Sequence, residues 1–101
     1  MTHLYTLDAQ HNILVTEDSA EWGTWFQDFD NRRVAQTKLG PVEVSTVFLG
    51  LDHRWLGGGP PLLFETMVFG GADEVCLRCS TWAEAEAQHA EVVASLDLSA
   101  R

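Results

Sequence analysis

The chain has 101 residues, 46% of them hydrophobic, and its four tryptophans and five phenylalanines are enough for one core. This length and composition predict a single domain over residues 1–101 and exclude a disordered or fibrous chain. Fifteen acidic residues against six basic ones give a net charge of −9, which disfavours direct binding to the phosphates of nucleic acid. Such a charge usually only keeps a domain soluble, and the more specific interpretation is a partner with a basic face.

The first third of the chain predicts a β-hairpin followed by a helix. Residues 3–7 and 12–16 show a weak polar–apolar alternation that is typical of short strands. Asp18 or Ser19 is the candidate N-cap of the helix, and Glu21 lies three residues after Asp18, as a capping box requires. The aromatic residues that follow fall on one helical stripe, which we interpret as core: Trp22, Trp25, Phe26 and Phe29.

The middle of the chain predicts three longer strands and one short one. Residues 32–39 alternate loosely and end at the turn signal Gly40–Pro41. Residues 42–51 and 62–69 are the strongest strand patterns, and both faces of each become apolar, which is typical of central strands. A short strand is predicted over residues 74–79.

The last helix is the best-defined element. Thr81 and Glu84 form a capping box. His89 lies at the centre of the apolar stripe, and we interpret it as a core histidine that donates one hydrogen bond. The order of elements predicts an α+β fold in which two amphipathic helices cover one face of an antiparallel sheet of four to five strands. The stripe consists of Trp82, Ala85, His89, Val92, Val93 and Leu96.

The second face of that sheet bears on assembly. An exposed apolar patch of this size is uncommon on a monomer, so we expect a homodimer with Val47, Leu49 and Met67 as candidate contacts. The alternative is that the amino-terminal strands fold over this face and leave the chain monomeric.

A long tip joins the two strongest strands. Hairpins usually close with about two to five residues, so a tip of about ten suggests a function, and binding is the simplest one. Trp55 is either tucked back over the sheet or offered to a partner, where tryptophan is enriched. Asp52 also has a structural interpretation, in which it caps the loop by accepting backbone N–H groups. The candidate binding residues are Asp52, His53, Arg54, Trp55, Leu56 and, on the following strand, Glu65.

A zinc site and a phosphate loop are both disfavoured. Cys76 and Cys79 with His53 and His89 would complete a Cys2His2 set, but residues three apart on a strand point to opposite faces. The three glycines at 57–59 are followed by two prolines and a strand, whereas a phosphate loop leads into a helix.

Catalysis is disfavoured as well. Asp52 and His53 with Glu65 or Asp73 form a conceivable acid–base pair. No serine or cysteine nucleophile, however, has an obvious partner by spacing. We therefore predict a protein that is not an enzyme and that uses no catalytic residue, no metal and no cofactor.

The expected location is the cytoplasm. No apolar run approaches the roughly 18–20 residues of a membrane span, and no secretory signal is visible at the start. Two cysteines do not make a disulfide framework, so a reducing compartment is the default.

The chain resembles a known family in two blocks: VSTVFLGLDHRWLGGGPPLLFETMVFGG at 44–71 and CSTWAEAEAQHAEVV at 79–93. The family consists of small uncharacterised proteins encoded by phages, prophages and high-GC bacteria, and the likeness covers roughly residues 22–95. The segment 74–79 departs from the family in being shorter and richer in cysteine. The resemblance brings no catalytic residues. It implies an accessory protein that binds host machinery, in the host cytoplasm.

The expected function is therefore a non-enzymatic, acidic binding protein that engages a host protein with a basic face. Its most concrete form is an anti-CRISPR-like inhibitor of a nucleic-acid-handling defence complex. Two alternatives stay open. One is a protein that sequesters a signalling nucleotide in a pocket lined by His53, Arg54 and Trp55, and the other is a structural or virion accessory protein.

Overall fold

A four-stranded antiparallel sheet, with a long helix packed against all four strands, is the frame of the molecule. The computed structural model describes residues 4–52, 60–71 and 75–99. The sheet and a separate two-stranded hairpin confirm the predicted α+β fold. The elements in chain order are β1 (Leu4–Leu7), β2 (Ile13–Thr16), α1 (Ser19–Phe26), α2 (Phe29–Arg32), β3 (Arg33–Leu39), β4 (Val42–Phe48), β5 (Phe64–Phe69), β6 (Cys76–Cys79) and α3 (Trp82–Ser99).

The strand register sorts the side chains of the sheet onto a covered face and an open face. The sheet runs β3-β4-β5-β6, with Val44 opposite Val68 and Phe48 opposite Phe64. These four residues are buried on the face that α3 covers, because side chains directly opposite in an antiparallel pair point the same way. Two buried clusters form there, one of Leu7, Phe48, Leu63, Phe64 and Ala85, the other of Val44, Val68 and Val92.

The predicted capping box sets the start of α3. The N–H of Glu84 donates to Thr81 Oγ1 at 3.1 Å, and Glu84 Oε1 accepts the N–H groups of Thr81 at 3.1 Å and of Ser80 at 3.2 Å. The helix N–H groups that lack a partner one turn back are satisfied in this way. No helix in the described part of the chain is long and apolar enough to cross a membrane.

The first helix is shorter than predicted. Asp18 is its N-cap and accepts the N–H groups of Ala20 and Glu21, both at 3.0 Å. The helix ends at Phe26, because Asp28 accepts the N–H of Asp30 at 3.0 Å and thereby caps a second, one-turn helix. The predicted core stripe is therefore wrong for Phe29, which is 41% exposed. Its other members, Trp22, Trp25 and Phe26, are half-buried.

Gly50 fixes the place where α1 meets the sheet. Its φ is +74°, and a Cβ there would lie 2.8 Å from a ring carbon of Phe26, so this position requires glycine. Its carbonyl accepts the N–H of Tyr5 at 2.9 Å, and the carbonyl of Tyr5 accepts the Trp22 indole N–H at 3.1 Å. The hairpin and α1 are joined to the frame at this point.

The open face of the sheet is only partly apolar. Val47, Leu49 and Met67, the candidate dimer contacts, are half-buried, and Phe69 is 49% exposed. Leu7 of the amino-terminal hairpin packs in the cluster beneath α3, so this hairpin extends the covered side. The homodimer stays a prediction.

A buried hydrogen-bond network joins α3 to the sheet. His89 is 6% exposed. Its Nδ1 lies 2.8 Å from Thr46 Oγ1 and its Nε2 lies 2.8 Å from Thr37 Oγ1. Thr46 Oγ1 is also 2.7 Å from Thr66 Oγ1. The predicted core histidine thus uses both ring nitrogens, and burial lowers its pKa.

We expect the folded chain to lose stability as the pH falls below 6.5, the ordinary pKa of histidine. His89 is neutral in the fold, whereas in the unfolded chain it takes up a proton near its ordinary pKa of 6.5. The contribution of His89 to the free energy of unfolding is therefore complete above pH 6.5. It is lost as the pH falls below that value, at no more than about 1.4 kcal/mol per pH unit. Urea unfolding at pH 7.5 and 5.5, followed by tryptophan fluorescence, measures the loss.

Two variants test whether the pH dependence of the free energy of unfolding arises from His89. His89→Gln removes the titrating group and is expected to flatten the pH dependence of the free energy of unfolding. His11→Asn changes an exposed histidine whose φ of +65° asparagine tolerates. It is expected to keep the wild-type difference in the free energy of unfolding between the two pH values. A His89→Gln variant that loses as much stability as the wild type between the two pH values would contradict the assignment.

Candidate functional site

The base of the predicted tip is closed by hydrogen bonds. Asp52 Oδ1 accepts the N–H of Leu62 at 3.0 Å, and the N–H of Leu49 donates to the carbonyl of Leu63 at 2.7 Å. The structural interpretation of Asp52, a carboxylate that caps the loop, is thus what the geometry shows. The other predicted tip residues, His53, Arg54, Trp55 and Leu56, lie outside the described residues, as does Asp73.

Glu65, the last predicted binding residue, lies in the sheet and is paired there. It is opposite Arg78 of β6, and its Oε2 accepts from Arg78 Nε at 3.0 Å and from Cys76 Sγ at 3.4 Å. Its side chain is only 15% exposed. Asp52 and Glu65 are therefore engaged with different partners, the first with backbone and the second with β6.

The two cysteines point away from each other, as the strand geometry predicts. Cys76 is exposed and contacts Glu65, whereas Cys79 packs against the buried cluster beneath α3. Burial raises the pKa of Cys76 and raises that of Cys79 to about 11. In the described residues, no group of three or more histidine, cysteine, aspartate or glutamate side chains is placed to hold a metal ion.

A polar concave surface in the described residues lies at the same end of the sheet as the base of the tip, since its Trp25 and Trp82 pack on Phe48 and Phe64, the strand residues nearest the tip. A cleft of about 210 Å³ opens between the β1–β2 turn, α2 and the start of α3. The ring of His11 is stacked on that of Trp82, with 3.6 Å between centroids and 7° between planes. The cleft is lined by Leu7, Asp8, Ala9, His11, Trp25, Asp30, Asn31, Arg33 and Trp82.

A second, broader groove of about 690 Å³ shares Trp25 and Asn31 with this cleft and runs along α1. Three carboxylates line it, from Asp18, Glu21 and Asp28. Residues 17–31 contain five acidic residues and no lysine or arginine. We call the combined lining the acidic–aromatic surface; it consists of Asp8, Asp18, Glu21, Trp25, Asp28, Asp30 and Trp82.

Arg32 and Arg33 follow this run of carboxylates in the sequence, and both are engaged in contacts within the chain. Arg32 donates through Nε to the carbonyl of Phe26 at 2.8 Å and stacks on the Phe26 ring at 4.0 Å. Arg33 pairs with Asp30 at 3.1 Å. The sequence analysis missed this surface because it interpreted the aromatic stripe as core. The available signal was the run of carboxylates around Trp25 with no base among them.

Comparisons with known proteins assign no family to this chain. No family model matches the sequence, and no match is found among curated proteins or among solved structures. The resemblance to small phage-encoded proteins therefore stays a prediction.

We expect Asp52→Ala to lower the free energy of unfolding by about 1–3 kcal/mol, because it removes a charged acceptor from a partly buried N–H group. Asp52→Asn keeps an acceptor and is expected to lose less. Glu86→Ala, at an exposed position of α3, is the control and is expected to change little. Urea unfolding measures all three. An Asp52→Ala variant with the same free energy of unfolding as the wild type would show that the cap does not stabilise the fold.

We expect both thiols to react slowly in the folded protein, because the thiolate is the nucleophile. Cys79 is the sharper test. A rise of its pKa from 9.0 to about 11 lowers its thiolate fraction about a hundredfold at pH 8. Iodoacetamide labelling of the Cys76→Ser variant, which retains Cys79, should accelerate strongly when the chain is unfolded in guanidinium. Equal labelling rates in the folded and unfolded chain would refute this.

Proposed function

We propose that the chain is a non-enzymatic binding protein, that its partner presents a basic protein surface, and that the acidic–aromatic surface meets this partner. The single observation that carries the proposal is the clustering of carboxylates on that surface within a chain of net charge −9. Opposite charge steers two proteins together and fixes their register. Tryptophan beside such charge supplies the kind of anchor that dominates interface energies.

In its concrete form, the partner is a host protein that handles nucleic acid, and the chain inhibits it as an anti-CRISPR-like protein in the host cytoplasm. A protein that binds the phosphates of nucleic acid does so with lysine and arginine side chains. An acidic protein can therefore compete with nucleic acid for that surface. The resemblance to phage-encoded accessory proteins supports the same partner class. The predicted tip residues 53–56, together with Asp52 and Glu65, are proposed as a second contact.

The nucleotide-binding alternative receives less support. Of the four basic residues in the described part of the chain, three are engaged: Arg32 with a carbonyl, Arg33 with Asp30 and Arg78 with Glu65. A phosphate-bearing ligand needs free cations. We therefore retain the protein partner as the proposal.

The experiment neutralises the surface without removing its helix caps. Asparagine caps helices about as well as aspartate, so the surface variant combines Asp18→Asn, Glu21→Gln, Asp28→Asn and Asp30→Asn. The control variant removes four charges elsewhere: Glu43→Gln, Glu86→Gln, Glu91→Gln and Asp97→Asn. The two variants have the same net charge and differ only in where the charge is lost.

Tagged wild type and both variants are incubated with host lysate at 150 mM salt, and the captured protein is identified, purified and titrated. We expect a basic partner that binds wild type and control variant and is displaced by duplex DNA or by RNA. Exposed ion pairs are worth roughly 0.2–1 kcal/mol each, so the surface variant should bind about tenfold or more weakly. Undiminished binding of the surface variant, a partner that nucleic acid does not displace, or no captured protein would each overturn the proposal.

A further inference from the structure

We propose that the cleft of about 210 Å³ between the β1–β2 turn and α2 accepts one arginine side chain of the basic partner. The inference deepens the proposed function and rests on it. It names the chemical group that the acidic–aromatic surface recognises, and the argument comes from the size, the walls and the charge of this cleft.

The size of the cleft suits a single side chain. At about 30 Å³ per water molecule in the liquid, its volume corresponds to about seven water-sized groups. The arginine side chain has about the same number of heavy atoms. A whole nucleotide is larger than this space.

The walls are aromatic and are held in place from beneath. Trp25 packs edge-on against Phe48, at 5.7 Å and 86°, and Trp82 packs edge-on against Phe64, at 6.3 Å and 84°. Phe48 and Phe64 are fully buried, so the indoles lie on a rigid base. The His11 ring is stacked on one face of Trp82 at 3.6 Å, so a guanidinium would stack on Trp25 or on the other face of Trp82. A guanidinium is planar, weakly hydrated and attracted to the face of tryptophan more than to other rings.

The protein already uses this contact within its own chain. The guanidinium of Arg32 lies 4.0 Å from the centroid of the Phe26 ring, and that of Arg33 lies 4.8 Å from the centroid of the Phe29 ring. Both arginines are close to the cleft in sequence and structure. Arginine on an aromatic face is thus a stable arrangement in this environment.

The charge of the cleft selects a cation. Asp8 and Asp30 contribute two carboxylates and Arg33, which is paired with Asp30, one guanidinium, so one negative charge is in excess when histidine is counted as uncharged. Asp8 is oriented by the N–H groups of Gln10 and Asn12, both at 2.9 Å from Oδ1. The hydrogen bonds from Asn12 are the main reason that the pKa of Asp8 lies below its usual value, and its carboxylate therefore stays ionised at neutral pH.

The chemistry of the walls favours arginine over lysine. A lysine ammonium is compact and strongly hydrated, and entering a cleft between two indoles would cost it that hydration. A guanidinium keeps its flat faces against the rings and directs its N–H groups, in the plane, towards carboxylates. We therefore expect the order arginine, then lysine, with the neutral isostere citrulline much weaker.

The test uses the whole chain and three short peptides, acetyl-Gly-X-Gly-amide, with X as arginine, lysine or citrulline. The indole N–H signals of Trp25 and Trp82 are followed by NMR and assigned with Trp→Phe variants. We expect saturable shifts of these two signals with the arginine peptide, at a Kd of about 1–10 mM, and weaker or no saturation with citrulline. Equal responses to arginine and citrulline would overturn the proposal.

Two matched variants locate the binding. Asp30→Asn removes one charge from the cleft at a side chain that is 81% exposed, and it should weaken the arginine peptide about threefold to tenfold. Glu86→Gln removes one charge from an exposed position of α3 outside the acidic–aromatic surface and should leave this titration unchanged. The inference fails if the variants behave alike.

The outcome is separable from that of the proposed function. If a basic partner is captured and lost on neutralisation of the surface, while the arginine peptide does not bind, the arginine pocket is wrong and the proposed function stands. If the peptide binds as expected but no basic partner is captured, the proposed function is wrong and the cleft remains an arginine site.

Discussion

The pairing of Phe48 with Phe64 across β4 and β5 is the contact on which the rest of the structure depends. Both rings are fully buried, 5.1 Å apart, and each supports one tryptophan from a different part of the chain. Trp25 of α1 packs on Phe48 and Trp82 of α3 packs on Phe64. The four rings form one continuous aromatic row from the first helix to the last, so the strand register positions both walls of the candidate cleft.

This row links stability to recognition. Burial of large aromatic side chains contributes several kcal/mol to a small domain, and the same packing leaves the outer edges of Trp25 and Trp82 half-exposed beside carboxylates. The surface is therefore held in shape by the core, so the partner that we propose would meet it without a further ordering step. Binding to a preformed surface avoids part of the entropy cost that a mobile loop would add.

Much of the fold follows from local sequence signals. The capping box of Thr81 and Glu84 is confirmed. The strand predicted over residues 42–51 is confirmed over Val42–Phe48 and ends three residues earlier than predicted. The division of the first helix was not predicted, because the apolar spacing through Phe29 outweighed the cap at Asp28. That single capping bond turns Phe29 outward and opens the groove along α1.

Other features depend on register and could not be derived from the sequence. The two bonds of His89 join it to Thr37 and Thr46, which are 52 and 43 residues away. Glu65 meets Arg78 only because β5 and β6 pair in one particular alignment. The tip was the most conspicuous feature of the sequence, yet of its predicted residues only Asp52 and Glu65 have a described environment.

The junction at Gly50 has a consequence for how such a protein can evolve. At this junction the hairpin and α1 meet the frame through a backbone hydrogen bond to Gly50 and a close approach of the Phe26 ring, beside the packing of Leu7 and Trp25 on the core. The carboxylates of Asp18 and Glu21 take no part in these contacts. Exposed positions of α1 can therefore be substituted while Gly50, Trp25 and Phe48 stay fixed. The outer surface of one short helix can change in this way without changes to the core.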